Sequence, residues 1–382
     1  MSTHPEKMRA WAEVNLGALE RNLSAIRSGL PDYLQYISVV KANAYGHGLA
    51  PIVTRLMHSE ADAFAVANLE EAARLREIGT GWPILVLSVL LPSEYEDAME
   101  LGVTPVLSSV EEVRQFASIA SSRNRRLGVH LKIDTGMGRV GVWYPGFADL
   151  LDELLLHPSL KLEGLCTHFS SADSDPGFTS LQRKRFLDSL HFLSENLRRE
   201  ILIHADNSAG IESFPEDGPF NAVRVGLLQF GVRPKPGSLL GTISTEPVLS
   251  FHSRVGLVKD LPAGTPISYG QTHRLERRST IAILTAGYAD GLSTALSNAG
   301  SVILNNHLCP VIGRVTMDQT VIDVTDLAEA PKVGDRATFI GSSGDKSIST
   351  SQFAKWSGQI EWEVFCSLSQ RTKRIYKTDS AV

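Results

Sequence analysis

The chain has 382 residues, with 37 Lys and Arg against 42 Asp and Glu and a formal net charge of −5 at pH 7. This length is typical of two or three domains, and 43% hydrophobic with 21% charged residues argues against a disordered, collagen-like or coiled-coil chain. A slightly acidic chain with dispersed basic residues is a poor nucleic-acid binder, because neutralising phosphates requires a clustered basic face. We therefore expect no nucleic-acid partner.

Membrane and redox signals are weak in this sequence. No apolar stretch approaches the roughly 20 residues of a membrane-spanning helix, and the most apolar run, 84–91, is as short as a strand. The N-terminus lacks the apolar core of a secretory signal. Cys166, Cys309 and Cys366 are odd in number and lack the spacing of a zinc site. We expect a cytoplasmic protein with three reduced thiols, no metal and no membrane contact.

The predicted elements of the first part alternate between strands and helices. A helical pattern at 16–27 is followed by eight apolar runs, which lie at 37–41, 63–67, 84–89, 103–107, 127–133, 161–167, 201–205 and 221–225. Helical patterns separate them at 49–60, 69–78, 93–100, 110–120, 147–156 and 180–197. Eight strand–helix units in about 220 residues predict an α/β protein with a (β/α)₈ barrel. A doubly wound open sheet is the alternative that the same alternation permits.

The pattern changes after residue 236. The segment RPKPGSLLGT at 233–242 predicts a linker because it combines two prolines and two glycines. Strands dominate beyond it, at 247–259, 266–270, 279–286, 301–304, 309–315, 319–323 and 336–340, with one helix near 350–356. We predict a barrel over 8–236 and a mainly β domain over 237–382. Residues 1–7 are not assigned to the barrel, and packing with the β domain is compatible with the sequence.

Reactive or anion-binding residues lie at or just after the ends of five predicted barrel strands, where barrel enzymes carry their catalytic groups. They are Lys41, Lys132 with Asp134, His168, Asp206 to Ser208, and Arg224 with Gly226. Burial at a strand end lowers the pKa of a lysine and makes it a usable base and nucleophile, also toward aldehydes such as pyridoxal 5′-phosphate (PLP). Glycines near Lys41 and the turns at 207–208 and 224–226 would let N–H groups approach a phosphate.

Eight motifs, spread in order over nearly the whole chain, resemble those of the alanine racemase family. They are VVKANAYGHG at 39–48, KIDTGMGRVG at 132–141, THFSSAD at 167–173, NSA at 207–209, VRVG at 223–226, SYG at 268–270, GYADG at 287–291 and GRVTMDQ at 313–319. The resemblance implies a homodimer with active sites shared between subunits. It also implies PLP-dependent interconversion of L- and D-alanine, which supplies D-alanine for peptidoglycan.

The resemblance also implies residue roles. The lysine matching Lys41 holds PLP covalently and is the base on one face of the substrate, whereas Tyr269 acts on the opposite face from the other subunit. Removal and return of a proton on opposite faces require two such groups. Arg224 matches the arginine at the pyridine nitrogen of PLP. His168 and nearby cations would favour the phenolate of Tyr269.

Further residues match substrate and cofactor contacts of the family. Expected substrate contacts are Arg139 and, from the other subunit, Met317, Asp318 and Tyr288. Expected cofactor contacts are Lys41, Tyr45, Asn207, Ser208, Arg224, Gly226, Leu227 and Trp362. Lys132 matches a lysine that is carbamylated in many members, and an unmodified lysine near an acidic group is the simpler alternative.

The sequence departs from the family pattern at Trp362 and in the segment 370–374, among other positions. Trp362 stands where the family usually has a tyrosine that contacts the phosphate, so phosphate affinity and side-chain selectivity are not determined by the match. The ending at 370–374 also differs from the usual Arg-Val-Pro-Arg. Trp362 motivates one alternative function, a racemase of serine or of a broader amino-acid range. A non-catalytic PLP-binding protein is a second alternative, from a different functional class.

Overall fold

The computed structural model describes residues 5–59, 61–213, 219–232 and 243–378. The chain divides into two compact units. The barrel unit comprises Glu20–Ala44 and Leu49–Thr245, and the β unit comprises Met1–Leu19, Tyr45–Gly48 and Glu246–Val382. The predicted linker at 233–242, and with it the predicted boundary at 236/237, lies outside the described residues.

The strands are β1 (Ala10–Asn15), β2 (Gln35–Val39), β3 (Ala63–Val66), β4 (Ile84–Val86), β5 (Thr104–Leu107), β6 (Leu127–Asp134), β7 (Val142–Trp143), β8 (Leu160–Cys166), β9 (Leu202–His204), β10 (Ala222–Val225), β11 (Leu249–Leu261), β12 (Pro266–Ile267), β13 (His273–Arg274), β14 (Ser279–Leu284), β15 (Ser301–Leu304), β16 (His307–Pro310), β17 (Thr320–Asp323), β18 (Arg336–Ser343), β19 (Lys346–Ile348) and β20 (Lys373–Lys377).

The helical segments are α1 (Leu16–Ser28), α2 (Lys41–Tyr45), α3 (Leu49–Met57), α4 (Leu69–Ile78), α5 (Tyr95–Glu100), α6 (Val110–Ser122), α7 (Phe147–Leu155), α8 (Pro176–Ser189), α9 (Glu195–Glu200), α10 (Ser208–Ser213), α11 (Thr350–Ser357) and α12 (Glu361–Ser367). No helix in the described ranges is both long and apolar enough to cross a membrane. The predicted helix at 180–197 is two helices, because the Ser194 side chain caps a new start by accepting from the Leu197 N–H.

Eight parallel strands form the barrel in the order β10-β2-β3-β4-β5-β6-β8-β9, with β7 added beside β6. The first and last strands of this order are joined where the N–H groups of Asn221 and Arg224 donate to the carbonyls of Ile203 and Asp206, at 3.1 and 3.0 Å. The helices between the strands carry buried apolar faces, as on α3 and α7. The (β/α)₈ prediction is confirmed, and the open sheet is wrong.

A mainly antiparallel sheet organises the β unit, in the order β16-β15-β18-β11-β1-β20 with β14, β17 and β19 attached. The 8–236 range placed residues 10–15 in the barrel, and the structure corrects this. β1 pairs with β11 and β20 instead. Its Trp11 is 1% exposed and lies beneath the guanidinium groups of Arg254 and Arg336, at 4.8 and 5.9 Å from the ring centre. Burial of this indole stabilises β1 in the second sheet.

Two predicted strands of the β unit are shorter in the structure. The 266–270 strand ends at Ile267, because Ser268 has φ 60° and the chain turns into Tyr269–Gln271. The 309–315 strand ends at Pro310, and Gly313 then turns the chain with φ 71°. Both turns lie in segments that carry predicted active-site residues.

Candidate active site

Lys41 follows β2 at the mouth of the barrel, where the sequence predicted the reactive lysine. The four residues after it, 42–45, all have φ between 51° and 56° although none is glycine. The left-handed region costs about 1–2 kcal/mol for each such residue. Strain of this kind persists only where surrounding contacts determine the backbone, and it is concentrated at functional sites.

Side chains near this left-handed turn hold its backbone in place. Glu71 accepts from the N–H groups of Ala42 and Ala67, at 2.6 and 2.9 Å, and so ties the turn to the start of α4. Asn43 accepts from the Leu49 N–H at 2.7 Å, which fixes the turn against the start of α3. These bonds compensate part of the strain and keep the residues after Lys41 in one conformation.

The glycines after this turn are required for packing within the β unit. A Cβ on Gly46 would lie 2.1 Å from the carbonyl oxygen of Phe365, and Gly46 has φ 76°. Arg374 donates to the Gly46 carbonyl at 2.9 Å, and the Tyr376 hydroxyl donates to the His47 carbonyl at 3.1 Å. The sequence suggested that these glycines open the backbone to a phosphate. The structure gives them close packing against α12 and β20, and Arg374 is a contact that sequence reasoning did not find.

Arg224 is a buried cation at the mouth. It lies on β10, is 5% exposed, and its strand pairs with β2, which leads to Lys41. Its Nη2 donates to the carbonyls of Thr167 and Ala205 at 2.8 and 2.9 Å, and its Nη1 to that of His204 at 3.1 Å. Burial lowers the pKa of Arg224 from its ordinary value, yet a guanidinium remains protonated in proteins.

The arginine also fixes the tautomers of a row of histidines. Its N–H groups lie 3.2 Å from His168 Nδ1 and 2.5 Å from His204 Nδ1, and since arginine only donates, both nitrogens accept. Their protons are therefore on Nε2. The His204 Nε2–H in turn donates to His130 Nδ1 at 2.9 Å. One hydrogen-bonded row thus joins residues on β10, β9 and β6 with His168, which lies two residues after β8.

These histidines are neutral at neutral pH. Burial, followed by the charge of Arg224, lowers the pKa of His130 to about 3 and holds those of His168 and His204 well below the usual range. The positive charge next to His168 is that of Arg224, so His168 itself is a polarised neutral donor. Sequence reasoning missed His130 and His204. Their positions were the available signal. His130 lies two residues before Lys132 on the same strand, and His204 is the last residue of β9.

Lys132 is buried beside this row and is 8% exposed. It lies on β6 directly opposite Cys166 on β8. Burial lowers the pKa of Lys132 to about 8, and the charges of Arg224 and Arg139 act in the same direction. A lysine with this pKa is partly neutral at physiological pH and is nucleophilic.

Asp134 folds the loop that presents Arg139. One carboxylate oxygen accepts from the N–H groups of Gly136, Met137 and Gly138, at 2.9, 2.8 and 3.1 Å. The other accepts from the Arg139 N–H at 3.2 Å. The motif residue Asp134 therefore organises the loop, and the Arg139 side chain is exposed at its end.

The two predicted phosphate-binding segments are in direct contact. The Ser208 hydroxyl accepts from the N–H of Gly226 at 3.1 Å, which brings the start of α10 to the segment that follows β10 and continues into Leu227. Asn207 uses its side-chain oxygen to accept from the N–H groups two and three residues ahead, at 3.1 and 2.8 Å. Asn207 is thus a helix cap, and its contact with a cofactor stays a prediction.

The β unit presents Tyr269 on a strained turn. Tyr269 is 72% exposed. Ser268 before it has φ 60° and ψ −170°, a region that is essentially restricted to glycine. The Ser268 hydroxyl donates to the Arg314 carbonyl at 2.7 Å, so the turn rests on the loop that leads to Met317.

Three other predicted residues protrude near this loop. Tyr288 is 45% and Met317 52% exposed, and the Tyr288 N–H donates to the carbonyl of Thr316 at 2.9 Å. Asp318 pairs with Arg371 at 2.7 Å, an ion pair that sequence reasoning did not foresee.

The two predicted aromatic contacts of the cofactor differ in exposure. Trp362, on α12, is 38% exposed and Tyr45 is buried.

Comparison with known proteins decides the family. The sequence model "Alanine racemase, N-terminal domain" matches residues 14–234, and "Alanine racemase, C-terminal domain" matches residues 248–376. An alanine racemase of Halothermothrix orenii is 39% identical over 369 residues, which cover 96% of each chain. The chain belongs to the alanine racemase family.

Solved structures agree with this assignment. An alanine racemase of Clostridium difficile 630 is 32% identical, covers 98% of this chain and 97% of its own, and superposes with a TM-score of 0.89. An alanine racemase of Bartonella henselae with covalently bound pyridoxal phosphate is 26% identical, with a TM-score of 0.87 and coverage of 97% of this chain and 99% of its own. The predicted family and enzyme class, an amino-acid racemase, are confirmed. The role of each site residue stays a prediction.

One buried carboxyl group of the enzyme lies beside the segment Asn207–Ser208. Asp206 is 6% exposed, and its Oδ1 has no hydrogen-bond partner within the described part of the chain. Burial raises the pKa of Asp206 to about 6, against the opposing charges of Arg183 and Arg224. The fold therefore favours the protonated form.

The Asp206→Asn variant is expected to stabilise the protein above pH 6. The folded pKa of Asp206 exceeds the unfolded one, so its contribution falls as pH rises from about 4 to 6 and then stays constant. We expect a gain of about 1 to 3 kcal/mol in the free energy of unfolding at pH 7.5 and none at pH 4. Urea unfolding at both pH values measures this. Asp188→Asn, at an exposed carboxylate, is the control; an equal shift there contradicts the assignment.

Proposed function

We propose that the enzyme interconverts L- and D-alanine with PLP held covalently by Lys41. Family membership supports the reaction, and the Bartonella relative with covalently bound pyridoxal phosphate supports the cofactor. One observation carries the assignment to this site: β2, which leads to Lys41, pairs with β10, which carries the buried cation Arg224.

The residues at the barrel mouth fit PLP, which combines an aldehyde with an anionic phosphate. Lys41 supplies the amine for the aldehyde. The Ser208 hydroxyl and the N–H groups of Gly226 and Leu227 suit the phosphate, and Tyr45, Asn207 and Trp362 complete the proposed set. Arg224 is a permanent donor and suits an unprotonated ring nitrogen. When bound, PLP supplies the electron sink that makes the α-hydrogen of an amino acid acidic.

Two groups of the protein move the proton. Lys41 Nζ takes or returns it on one face of the amino acid, and the Tyr269 hydroxyl does so on the other. Because His168 Nδ1 accepts from Arg224, the His168 Nε2 carries a hydrogen that can be donated to the Tyr269 oxygen. A donor there stabilises negative charge on that oxygen.

The substrate carboxylate is proposed to bind to Arg139 and to the main-chain N–H of Met317. A guanidinium fork matches a carboxylate in geometry and charge. Asp318 lies beside Met317 and is held by Arg371, and Tyr288 is proposed to line the entry of the substrate.

We propose a homodimer in which each active site takes Tyr269, Met317, Asp318 and Tyr288 from the partner chain. Exposure supports this arrangement: Tyr269, Met317 and Tyr288 are 72%, 52% and 45% exposed within one chain. Large exposed side chains of this kind are typical of interaction surfaces, and the strained Ser268 directly precedes Tyr269.

Mixed dimers test the shared site. A dimer of one Lys41→Ala chain and one Tyr269→Phe chain, purified through two different tags, retains one intact site of two and is expected to show about half of the wild-type activity. Each homodimer is expected to be inactive. The reciprocal control joins a wild-type chain to a chain with both substitutions, and this dimer is expected to be inactive as well. Activity in the control but not in the first dimer means that each site lies within one chain.

Lys132 is proposed to be carbamylated. A neutral amine reacts with carbon dioxide, and a pKa of about 8 makes Lys132 far more reactive than an exposed lysine. The product is an anion that can orient Arg139. We expect one carbamate resonance per chain by ¹³C NMR in labelled bicarbonate, its loss in Lys132→Gln, and a kcat/KM about 10- to 100-fold lower in that variant. Lys184→Gln, at an exposed lysine, is the control. Persistence of the resonance in Lys132→Gln contradicts the assignment.

The proposed physiological role is the supply of D-alanine for peptidoglycan in the cytoplasm. Cys166, Cys309 and Cys366 form no disulfide within the described part of the chain, which supports a reducing compartment. Growth of a strain that requires D-alanine, when it expresses this chain and not the Lys41→Ala variant, tests the role.

Chiral chromatography tests the function itself. The PLP-loaded protein is incubated separately with L-alanine and L-serine, and the D-isomers are measured. We expect a strong preference for alanine, and Trp362 is then a tolerated variation. Faster turnover of serine contradicts alanine as the substrate. No D-isomer from either amino acid, despite bound PLP, contradicts the racemase function.

A further inference from the structure

A buried glutamine joins the strand that leads to Lys41 to the proposed phosphate-binding segment. Gln229 is 0% exposed and lies in the 3-10 turn Leu227–Phe230, directly after Gly226. Its side chain reaches β2, which ends two residues before Lys41. The residue therefore connects the two places that would hold opposite ends of PLP.

The hydrogen bonds of this amide determine its orientation. Gln229 Nε2 donates to the Val39 carbonyl at 3.1 Å. Gln229 Oε1 accepts from the Ser38 hydroxyl at 2.8 Å and from the Tyr36 hydroxyl at 3.4 Å. A carbonyl only accepts, so the amide nitrogen must face Val39 and both hydroxyls must donate. The main-chain carbonyl of Gln229 also accepts from Asn22 on α1, at 3.0 Å.

This cluster tolerates little sliding between its elements. Tyr36, Ser38 and Gln229 are fully buried, and a buried polar group that loses its partner is strongly disfavoured. Bonds to three residues of β2, namely Tyr36, Ser38 and Val39, fix that strand along its own axis relative to the turn 227–230. The same bonds therefore fix the main chain that leads into Lys41 relative to Gly226, whose N–H donates to Ser208.

We propose that Gln229 is a positioning residue for PLP, which sets the separation between Lys41 and the phosphate-binding segment at Gly226 and Leu227. The inference rests on the proposed function, because it takes Lys41 and this segment as the two ends of the cofactor site. A rigid ligand held at two points gains the full affinity of both only when their separation matches its length.

The experiment separates the two ends by using three ligands. Pyridoxal has the aldehyde without the phosphate, pyridoxine 5′-phosphate has the phosphate without the aldehyde, and PLP has both. In Gln229→Leu we expect PLP to bind about tenfold more weakly and the other two ligands to change less than about twofold. Absorbance and fluorescence titration of the apo-dimer measure all three affinities.

A matched control excludes general loosening of the barrel. Asn221 directly precedes β10, the strand that leads to the turn of Gln229. Its side chain accepts from the Ile203 N–H at 2.7 Å and donates to the Ile201 carbonyl at 2.9 Å. In Asn221→Leu we expect PLP affinity to stay within about twofold. Should Gln229→Leu not fold by circular dichroism, Ser38→Ala removes one bond of the cluster and is titrated with the same ligands, with the same selective loss expected.

Several outcomes overturn the proposal. A parallel loss for all three ligands means local damage, no loss for PLP means that Gln229 does not set the separation, and an equal PLP loss in Asn221→Leu means general loosening. Failure of the proposed function is recognised in the wild-type chain before any variant is made. There, borohydride reduction and peptide mapping would find no PLP on Lys41, and the inference would be lost with it.

Discussion

Tyr269→Phe is expected to lower kcat for racemisation by about 10²- to 10⁴-fold in both directions, with PLP binding unchanged. In the proposed two-base reaction both directions require one proton transfer on each face, so loss of the phenolic hydroxyl is expected to stop either direction. Lys41 remains, and therefore the variant is expected to exchange the α-hydrogen of one alanine enantiomer with D₂O much faster than it racemises. Chiral chromatography and NMR of the recovered alanine measure both rates.

A control variant separates this effect from damage to the surface. Tyr33 is 61% exposed in the barrel unit and has no proposed role, so Tyr33→Phe is expected to keep wild-type activity. Two results would contradict the two-base assignment. One is Tyr269→Phe with more than about a tenth of wild-type kcat. The other is a variant that loses exchange of both enantiomers to the same extent as racemisation.

Lys41→Ala is expected to abolish covalent attachment of PLP and to lower kcat by at least about 10⁴-fold, since we propose that this one side chain supplies both the attachment and a base. The fold is expected to persist, because the side chains of Glu71 and Asn43 hold the turn at 42–45 and remain in the variant. The visible absorbance of the bound cofactor, peptide mapping after borohydride reduction and the racemisation rate measure the effect.

The exposed Lys161, at 56%, supplies the control for this variant. Lys161→Ala is expected to bind PLP and to turn over alanine as the wild type does. Covalent PLP on another lysine in Lys41→Ala, with activity retained, would move the site elsewhere and contradict the roles proposed for the barrel mouth.

The pattern of the chain determined the barrel and the rim of its site. Alternation of apolar runs and amphipathic helices depends on local periodicity, which a single sequence displays directly. The ends of parallel strands meet at one face of a barrel, so Lys41, His168 and Arg224 could be assigned to one mouth without knowledge of any distance. Ordered motifs then determined the family, because they combine residue type with order along the chain.

Only the tertiary structure revealed how these residues are held. The left-handed turn at 42–45 contains no glycine, and its conformation depends on Glu71 and Asn43 rather than on local preference. The row from Arg224 to His130 depends on the order of strands β10, β9, β8 and β6. Composition and periodicity contain no information about such partners.

The placement of β1 and the contacts of Gln229 show the same division. β1 pairs with β11, more than 200 residues away in sequence, and Gln229 bonds to β2 across a similar distance. Local sequence determines which residues form a strand or a helix, through steric preference and amphipathic spacing. Strand register, buried hydrogen-bond partners and the pKa values that follow from them are determined by long-range packing, because burial and proximity exist only once distant segments have met.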